Sequence, residues 1–384
     1  MKKLDTNNRE FYWIAIDIAN TIAEIDGLKL DKLPLDDRVK WVVENFSNLK
    51  ELAENGESPY ETKNALNALR SHIRGERVNH MVYLDASNNA LQLYAVLTGD
   101  LQTALTCNIA GGNVMADAYQ MLADKMNPIL EQFAKDNNAK KLVLNRSSCK
   151  KALMTTMYGK GDASTEIISY LYSGAEDEYQ SAQQLCEEYS MTYAETKRGV
   201  PYADELSRIF KESIHSIAPK AIKTMDALVE INVMKFAPTY YWTLPDGFEV
   251  KCDIKRKSMT QQVNQQIAGF PDIVVSEVEY EEYGADFNSR ALAPNVIHSV
   301  DAYVAREMIR RMDGRFITSI HDAFACHPLD CDDMIRNFNE IMAEILDSTL
   351  LDDIMTQLMG TEVVTEHERT LTKDMVLAST LALS

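Results

Sequence analysis

The period of the apolar residues changes abruptly at His80, and this change constrains the fold more than any other feature of the chain. From Glu10 to Glu54 the apolar spacing is helical, with Leu33-Pro34-Leu35 interrupting it and Asp36-Asp37 opening a second helix before Val39, Val42 and Val43. His80-Met81-Val82-Tyr83-Leu84-Asp85 then alternates, which predicts a short strand with Met81, Tyr83 and Asp85 on one face. From Met115 to about Lys235 the pattern is helical again, broken around Gly159-Lys160-Gly161, Ser173-Gly174 and Gly199-Val200-Pro201. Trp242-Thr243-Leu244 and Phe248-Glu249-Val250 flank a Pro245-Asp246-Gly247 turn and predict a hairpin. Pro294-Asn295 precedes a helix running to about Arg311. Residues 316–320 and 323–326 then predict two strands with His321-Asp322 at their tight junction. A last amphipathic helix presents Ile335, Phe338, Met342 and Ile345 on its apolar side. A strand, a helical insertion and a hairpin allow Asp85 and Asp322, remote in the sequence, to meet on one small sheet.

Length and composition narrow the class. With 384 residues, 46% of them hydrophobic, the chain exceeds the size at which single cores stop growing, so two structural regions are expected. Its 15 glycines and 10 prolines are few, and no repeat or low-complexity block occurs, which argues against disorder and solenoid architectures. The apolar stretch from Phe11 to Ala23 contains Asp17 and falls short of the roughly 20 residues that a membrane span needs. A soluble, intracellular protein is therefore expected. The cysteines, at 107, 149, 186, 252, 326 and 331, form no Cys-x-x-Cys pair; Cys326, His327 and Cys331 raise a metal question but fall short of four spaced ligands.

A net charge of -19 opposes phosphate binding when taken as a sum. Its distribution matters more. Lys140, Lys141, Arg146, Lys150, Lys151 and Lys160 form one basic segment, and Lys251, Lys255, Arg256 and Lys257 form another, while acidic residues crowd at 176–178 and 187–188.

Within the first basic segment, Arg146, Lys150, Met154 and Tyr158 recur every four residues, with Gly159 following. One helix face thus presents a cation, a cation, a thioether and a phenol in order, over roughly 18 Å. That length suits a nucleoside triphosphate, with phosphates near Arg146 and Lys150 and sugar and base near Tyr158. A bare basic stripe is more often a solvated face. Asp85 alone can be read as a helix cap before Ala86-Ser87-Asn88, and Asp322 alone as a turn stabiliser. Together, with a triphosphate-sized cationic helix between them, they form a two-metal site in which Mg²⁺ takes carboxylate oxygens and bridges phosphates.

The ordered motifs Asp85-x-Ser87, Gln92, Arg146-x3-Lys150-x7-Tyr158-Gly159, Ala293-Pro294-Asn295-Val296-Ile297-His298-Ser299-x-Asp301 and His321-Asp322-Ala323-Phe324 resemble those of the phage and mitochondrial single-subunit RNA polymerases. Tyr12-Trp13 and the stretch from Leu35-Asp36-Asp37-Arg38 to Glu44-Asn45 also look like that family's segment before the first catalytic Asp, so the resemblance covers nearly the whole chain. It implies an α+β, right-hand polymerase fold with a small antiparallel-sheet palm and a large, mostly helical fingers domain. The expected divisions are 1–110 (N-terminal helices and first part of the palm), 111–290 (fingers) and 291–384 (second part of the palm and C-terminal helices). Asp85 and Asp322 become ligands of two Mg²⁺ ions, and Arg146 and Lys150 become triphosphate contacts. Lys151 joins them, although the family often has Arg there. Met154 lies along the nucleotide, Tyr158 sits at the ribose and template base, His298 senses the 2′-hydroxyl and His321 lies near the primer end. The implied reaction is template-directed RNA synthesis from ribonucleoside triphosphates on a DNA template.

A DNA polymerase of the related family is the nearest alternative. Those enzymes carry a bulky Glu five residues after the first catalytic Asp, where this chain has Ala90, and usually follow the final Asp with Glu, where it has Ala323. Met154 also replaces their aromatic, and His298 offers a polar partner to a 2′-hydroxyl. Ribonucleotides are expected. A further alternative is a nucleic-acid-binding subunit without catalysis. The family's Gly-Arg motif, thumb and promoter-binding domain find no counterpart before Asp85, and Ala15 stands where the family has a lysine after Tyr-Trp. The resemblance therefore implies the larger, catalytic subunit of a split, heterodimeric bacteriophage polymerase in the cytoplasm of an infected bacterium. A second polypeptide would supply the rest, and a single-stranded-DNA-binding or promoter-opening accessory protein is a possible further partner. Residues 251–285 correspond in position to the family's promoter-reading loop.

Overall fold

Helix α1 (Arg9–Ile22) starts where the Asn8 side chain accepts the Phe11 N–H at 3.1 Å, and it is buried without interruption from Phe11 to Ala19. A helix apolar on nearly every side belongs at the centre of a core. Here helices α2 (Leu35–Glu44), α3 (Leu49–Asn55) and α4 (Pro59–Arg74) enclose it. The computed structural model describes residues 4–112, 114–136, 143–159, 166–167, 203–254, 260–265, 273–278, 290–365 and 368–384. Between α1 and α2, strands β1 (Glu24–Ile25) and β2 (Leu28–Lys29) form a tight ribbon. Asp26 and Gly27 both have positive φ at its tip, the pairing that an Asp-Gly hairpin turn requires.

Asp17 is the one carboxylate inside α1's buried run, and His80 Nε2 meets its Oδ2 at 2.6 Å. That pair fastens α1 to the segment entering β3 (Val82–Asp85), the strand that the alternation predicts. β3 runs antiparallel to β9 (Ala323–Cys326), which pairs in turn with β8 (Ile317–Ile320), giving a three-stranded sheet of order β3-β9-β8. Val82, Leu84, Phe324 and Cys326 face the core, while Tyr83 and Asp85 stay on the open side.

Among the described residues the insertion between β3 and β8 is mostly helical: α5 (Asn89–Thr98), α6 (Leu101–Thr106), α7 (Ala118–Asp136), α8 (Arg146–Met157), α9 (Ala203–Ile217) and α10 (Pro219–Lys235). Hairpin β4–β5 (Thr239–Thr243, Glu249–Asp253) turns through Gly247 at φ +80. Trp242 Nε1 donates to Ser299 Oγ at 3.0 Å and docks that hairpin on α11 (Leu292–Arg311). Strands β6 (Thr260–Gln265) and β7 (Ile273–Val278) pair with each other, and most of the remaining 251–285 segment lies outside the described residues, as do the expected helix breaks at 173–174 and 199–201.

Two expectations need correction. Helix α11 begins at Leu292, so Pro294 lies within its first turn, where the missing N–H has no intrahelical partner to lose. Helix α12 (Cys331–Asp347), which buries Phe338, Met342 and Ile345, is not the last, because α13 (Leu350–Met359) and α14 (Lys373–Leu377) follow it. Cys326 and Cys331 are buried with their sulfurs 3.7 Å apart. His327 accepts the Leu329 N–H and faces the Val78 carbonyl at 3.0 Å, so its ring nitrogens are taken by backbone rather than a metal. Among the described residues no helix is long and apolar enough to cross a membrane. Buried residues from Phe11 to Leu383 join in one contiguous apolar core.

Arg38 is fully buried on α2, and burial lowers its pKa to about 10. Its Nε donates to the Leu33 carbonyl at 2.9 Å, Nη1 to Asn20 Oδ1 at 2.6 Å and Nη2 to the Asp31 carbonyl at 2.9 Å. The guanidinium thereby holds the 31–33 backbone against α1. Arg38→Ala strands three half-buried acceptors and should cost about 2 kcal/mol in urea unfolding; a loss below about 0.5 kcal/mol would rule out this clamp.

Candidate active site

The register of β3 on β9 sets Asp85 opposite Ala323, and the Ala86 N–H donates to the Asp322 carbonyl at 3.3 Å. His321 and Asp322 form the two-residue turn between Ile320 and Ala323, which pair across it. His321 takes φ +54, the left-handed conformation that short hairpin turns demand. Asp85 and Asp322 thus reach the same rim of the sheet from opposite ends of the chain, and both line one cavity of about 430 Å³.

The opposite wall is α8. Asn127 ties α7 to its approach by donating to the Leu144 carbonyl at 3.0 Å and accepting the Leu144 N–H at 2.8 Å. A reciprocal cap between Asn145 and Ser148 then starts the helix at Arg146. Arg146, Lys150, Met154 and Tyr158 all line the cavity, as their four-residue recurrence predicts. Tyr158 closes the helix, with its ring 4.8 Å from that of His298 on α11. Gly159 follows at φ +84, and a Cβ there would come within 3.2 Å of the Arg290 carbonyl oxygen. Glycine at 159 is therefore required by backbone conformation and close packing together.

The other expected site residues take varied places. Ala90 and Ser87 line the cavity. His298 stands behind Tyr158, and His321 is exposed at the hairpin tip; neither lines the cavity. Lys151 points away and pairs with Glu166 at 2.7 Å. Gln92 is a core residue whose Nε2 donates to the Cys107 and Ala382 carbonyls at 2.9 and 3.0 Å. Asp301 is hydrogen-bonded by Asn89, and burial raises its pKa against the opposing charges of His298 and His321. Lys140, Lys141, Lys160, Lys255, Arg256 and Lys257 lie outside the described residues.

Several cavity residues carry no sequence signal that singles them out. Asp31 and Lys32 come from the link between α1 and α2, where they pair at 2.7 Å. Asp117 and Tyr119 come from the start of α7, where Asp117 reads in sequence as an ordinary cap. In the fold Asp117 Oδ2 accepts from Arg146 Nε at 2.5 Å, and the Arg146 guanidinium lies 5.2 Å from the Tyr119 ring centre.

The cavity brings carboxylates and cations together, and burial sets their electrostatics. Burial pushes Asp322 up to about 6, with the nearby Asp85 carboxylate adding to the shift. Burial also raises Asp85, opposed by the Ala86 N–H, Lys32 and Lys150. Burial carries the Tyr119 and Tyr158 hydroxyls up to about 12. Two carboxylates on one cavity, Asp322 raised by burial and by the Asp85 charge and neither with an ion-pair partner among the described residues, fit a divalent cation. Among those residues no cluster of three or more His, Cys, Asp or Glu side chains is poised for a metal. Such an ion would complete its shell with water and phosphate oxygens, as hard, hydrated Mg²⁺ does.

Asp322 also makes a stability prediction. Because its folded-state pKa is raised, the folded chain holds this proton more tightly than the unfolded chain. The penalty of its charge is absent below about pH 4, grows as pH rises and is complete above about pH 6. Asp322→Asn should therefore stabilise the metal-free protein at pH 7 by about 1 kcal/mol, a figure discounted for its partial exposure. Urea unfolding at pH 7 and pH 4 checks this: the gain should vanish at the lower pH, and a gain of equal size at both would refute it.

Comparison with known proteins places the chain in a family. A family model described as DNA-dependent RNA polymerase matches residues 4–378. The chain is 25% identical over 373 residues to "DNA-directed RNA polymerase 1, mitochondrial" of Arabidopsis thaliana, covering 89% of this chain and 36% of that protein. It is 26% identical over 361 residues to a "Probable DNA-directed RNA polymerase" of Gelasinospora, covering 86% of this chain and 41% of that one. It is 23% identical over 368 residues to the "DNA-directed RNA polymerase" of Pseudomonas phage phiKMV, covering 86% and 42%. The chain spans well under half the length of these relatives. A match over nearly all of its residues, joined to one cavity that holds both aspartates and the α8 row, establishes that the chain belongs to the DNA-dependent RNA polymerase family.

Proposed function

We propose that the chain is the palm and fingers of a right-hand, single-subunit-type RNA polymerase, and that it synthesises RNA on a DNA template from ribonucleoside triphosphates. The observation that carries this reading is the cavity in which Asp85 and Asp322 face Arg146, Lys150, Met154 and Tyr158. In this reading residues 1–110 and 291–384 form the palm with its flanking helices, and 111–290 form the fingers.

Asp85 and Asp322 hold two Mg²⁺ ions, whose chemistry when bound is to activate the 3′-hydroxyl and to neutralise charge on the leaving pyrophosphate. Phosphoryl transfer asks little more of the protein than positioning and charge. Arg146 and Lys150 bind the triphosphate and align it along α8, while Tyr158, backed by the His298 ring, takes the sugar and base. Ala90 leaves open the space that a bulky side chain would deny to a 2′-hydroxyl. Lys151, turned toward Glu166, serves the helix surface rather than the triphosphate. His321 is exposed on the hairpin tip, where the primer end approaches.

In this reading the chain works together with a second polypeptide of a phage heterodimer, in the infected bacterial cytoplasm. A single-stranded-DNA-binding or promoter-opening protein fits as an accessory. The purified chain alone should then fall short of mixtures reconstituted with the partner, and equal activity would remove the split-enzyme element.

The central assay offers ribonucleotides, Mg²⁺ and single-stranded DNA template, with and without candidate partners. Asp85→Asn and Asp322→Asn should each lower incorporation by a factor of about 10³ or more. Incorporation that survives either change sinks the mechanism, and a preference for deoxynucleotides would favour the related DNA polymerases. His298→Ala should lower the preference for ribonucleotides over deoxynucleotides by about tenfold, read as a ratio of kcat/KM values.

A further inference from the structure

We propose that Asp117 is the positioning residue for Arg146, setting its guanidinium so that only the edge bearing Nη1 and Nη2 is presented to a triphosphate; the inference rests on the nucleotide reading of the α8 row. One carboxylate performs two tasks here. Oδ1 accepts the N–H groups of Tyr119 and Gln120 at 3.0 and 3.2 Å, capping α7, while Oδ2 accepts from Arg146 Nε at 2.5 Å. The same turn sets the Tyr119 ring against the guanidinium. Arg146 is thus engaged at its Nε edge and on one face. Among the described residues Nη1 and Nη2 make no hydrogen bond, and the side chain lines the cavity with Lys150, Asp85 and Asp322.

The support beneath Asp117 is itself held on both sides. Asn108 accepts the Ala116 N–H at 2.7 Å and donates to the Ala116 carbonyl at 3.0 Å, which fixes the peptide just before Asp117. Asn108 adopts φ +61, and its own carbonyl accepts from Ser379 Oγ at 2.7 Å. A chain of contacts therefore runs from the C-terminal segment through residue 108 to the arginine. A guanidinium is planar, and its paired N–H groups match two phosphate oxygens only in the correct orientation. Holding that plane before the ligand arrives removes an ordering cost from binding.

The charge of Asp117 acts in the opposite direction, since a carboxylate beside the arginine weakens its attraction for an anion. The sign of the effect therefore separates orientation from charge. Asparagine has a single acceptor oxygen and can cap α7 or hold Arg146, but not both. Serine keeps the cap and is too short to reach the arginine. Binding of Mg·ATP and of inorganic tripolyphosphate to the full chain would be measured by calorimetry for the wild type, Asp117→Asn, Asp117→Ser, Arg146→Gln and the Asp117→Asn/Arg146→Gln double variant.

Both Asp117 variants should bind both ligands about fivefold to tenfold more weakly, and Asp117→Asn should cost nothing further once Arg146 is Gln. Tighter or unchanged binding in the two Asp117 variants overturns the inference, as does an equal loss in the Arg146→Gln background, which would mean that Asp117 acts only through α7. If Arg146→Gln binds both ligands as the wild type does, the nucleotide reading of the row fails, and the positioning role fails with it. If Arg146→Gln weakens binding while the Asp117 variants do not, the positioning role alone fails.

Discussion

The antiparallel pairing of β3 with β9 is the interaction on which the rest of the site depends. Asp85 follows a core residue, Leu84, and precedes Ala86, so a slip of one position would carry the carboxylate into the core and expose an apolar side chain. The register is secured by the core face of the sheet, where Leu84 pairs with Phe324 and Val82 with Cys326. The Asp17–His80 pair fixes the entry to the strand, and on its free edge Ala86 bridges Leu383 while the Ser384 N–H donates to the Asp85 carbonyl. A four-residue strand would be marginal alone. Here it is clamped along both edges and beneath.

A second constraint, independent of the sheet, aims α8 across the cavity. The Asn127 side chain joins α7 to the backbone at Leu144, the reciprocal cap starts α8 one residue later, and Gly159 lets the chain pass against Pro294 and the Arg290 carbonyl at the far end. Both ends of the row are therefore set by backbone contacts. In the proposed reading, this also reconciles a net charge of -19 with an anionic ligand. Lys32 and Lys150 lie close enough to Asp85 to oppose its rise in pKa, and Arg146 lines the same cavity. Local placement outweighs the distant acidic surface, because screening removes most interactions beyond about 10 Å.

Features that depend on short-range periodicity were legible in the chain. The alternation before Asp85, the two strands around His321-Asp322, the Pro245-Asp246-Gly247 hairpin and the cavity-facing recurrence from Arg146 to Tyr158 all appear in the fold. Where local signals are ambiguous, packing decides. Pro294 marks the first turn of α11 and not the residue before it, because proline fits both places. Lys151 adjoins Lys150 in sequence, yet a helix turns about 100° per residue, which carries it to Glu166.

The sequence by itself determined the pieces: a strand ending in one aspartate, a turn bearing another, and a helix face ordered as two cations, a thioether and a phenol. It did so because side-chain period and turn chemistry are properties of neighbouring residues. Only the tertiary structure decided which other groups join them. Asp31 and Lys32 enter the cavity because buried Arg38 grips the backbone around them, and Asp117 meets Arg146 because α7 docks beside α8. Those residues carry no periodic mark. Their roles come from packing between segments far apart in the chain, and a linear pattern does not encode the distance between two surfaces that meet only when the core closes.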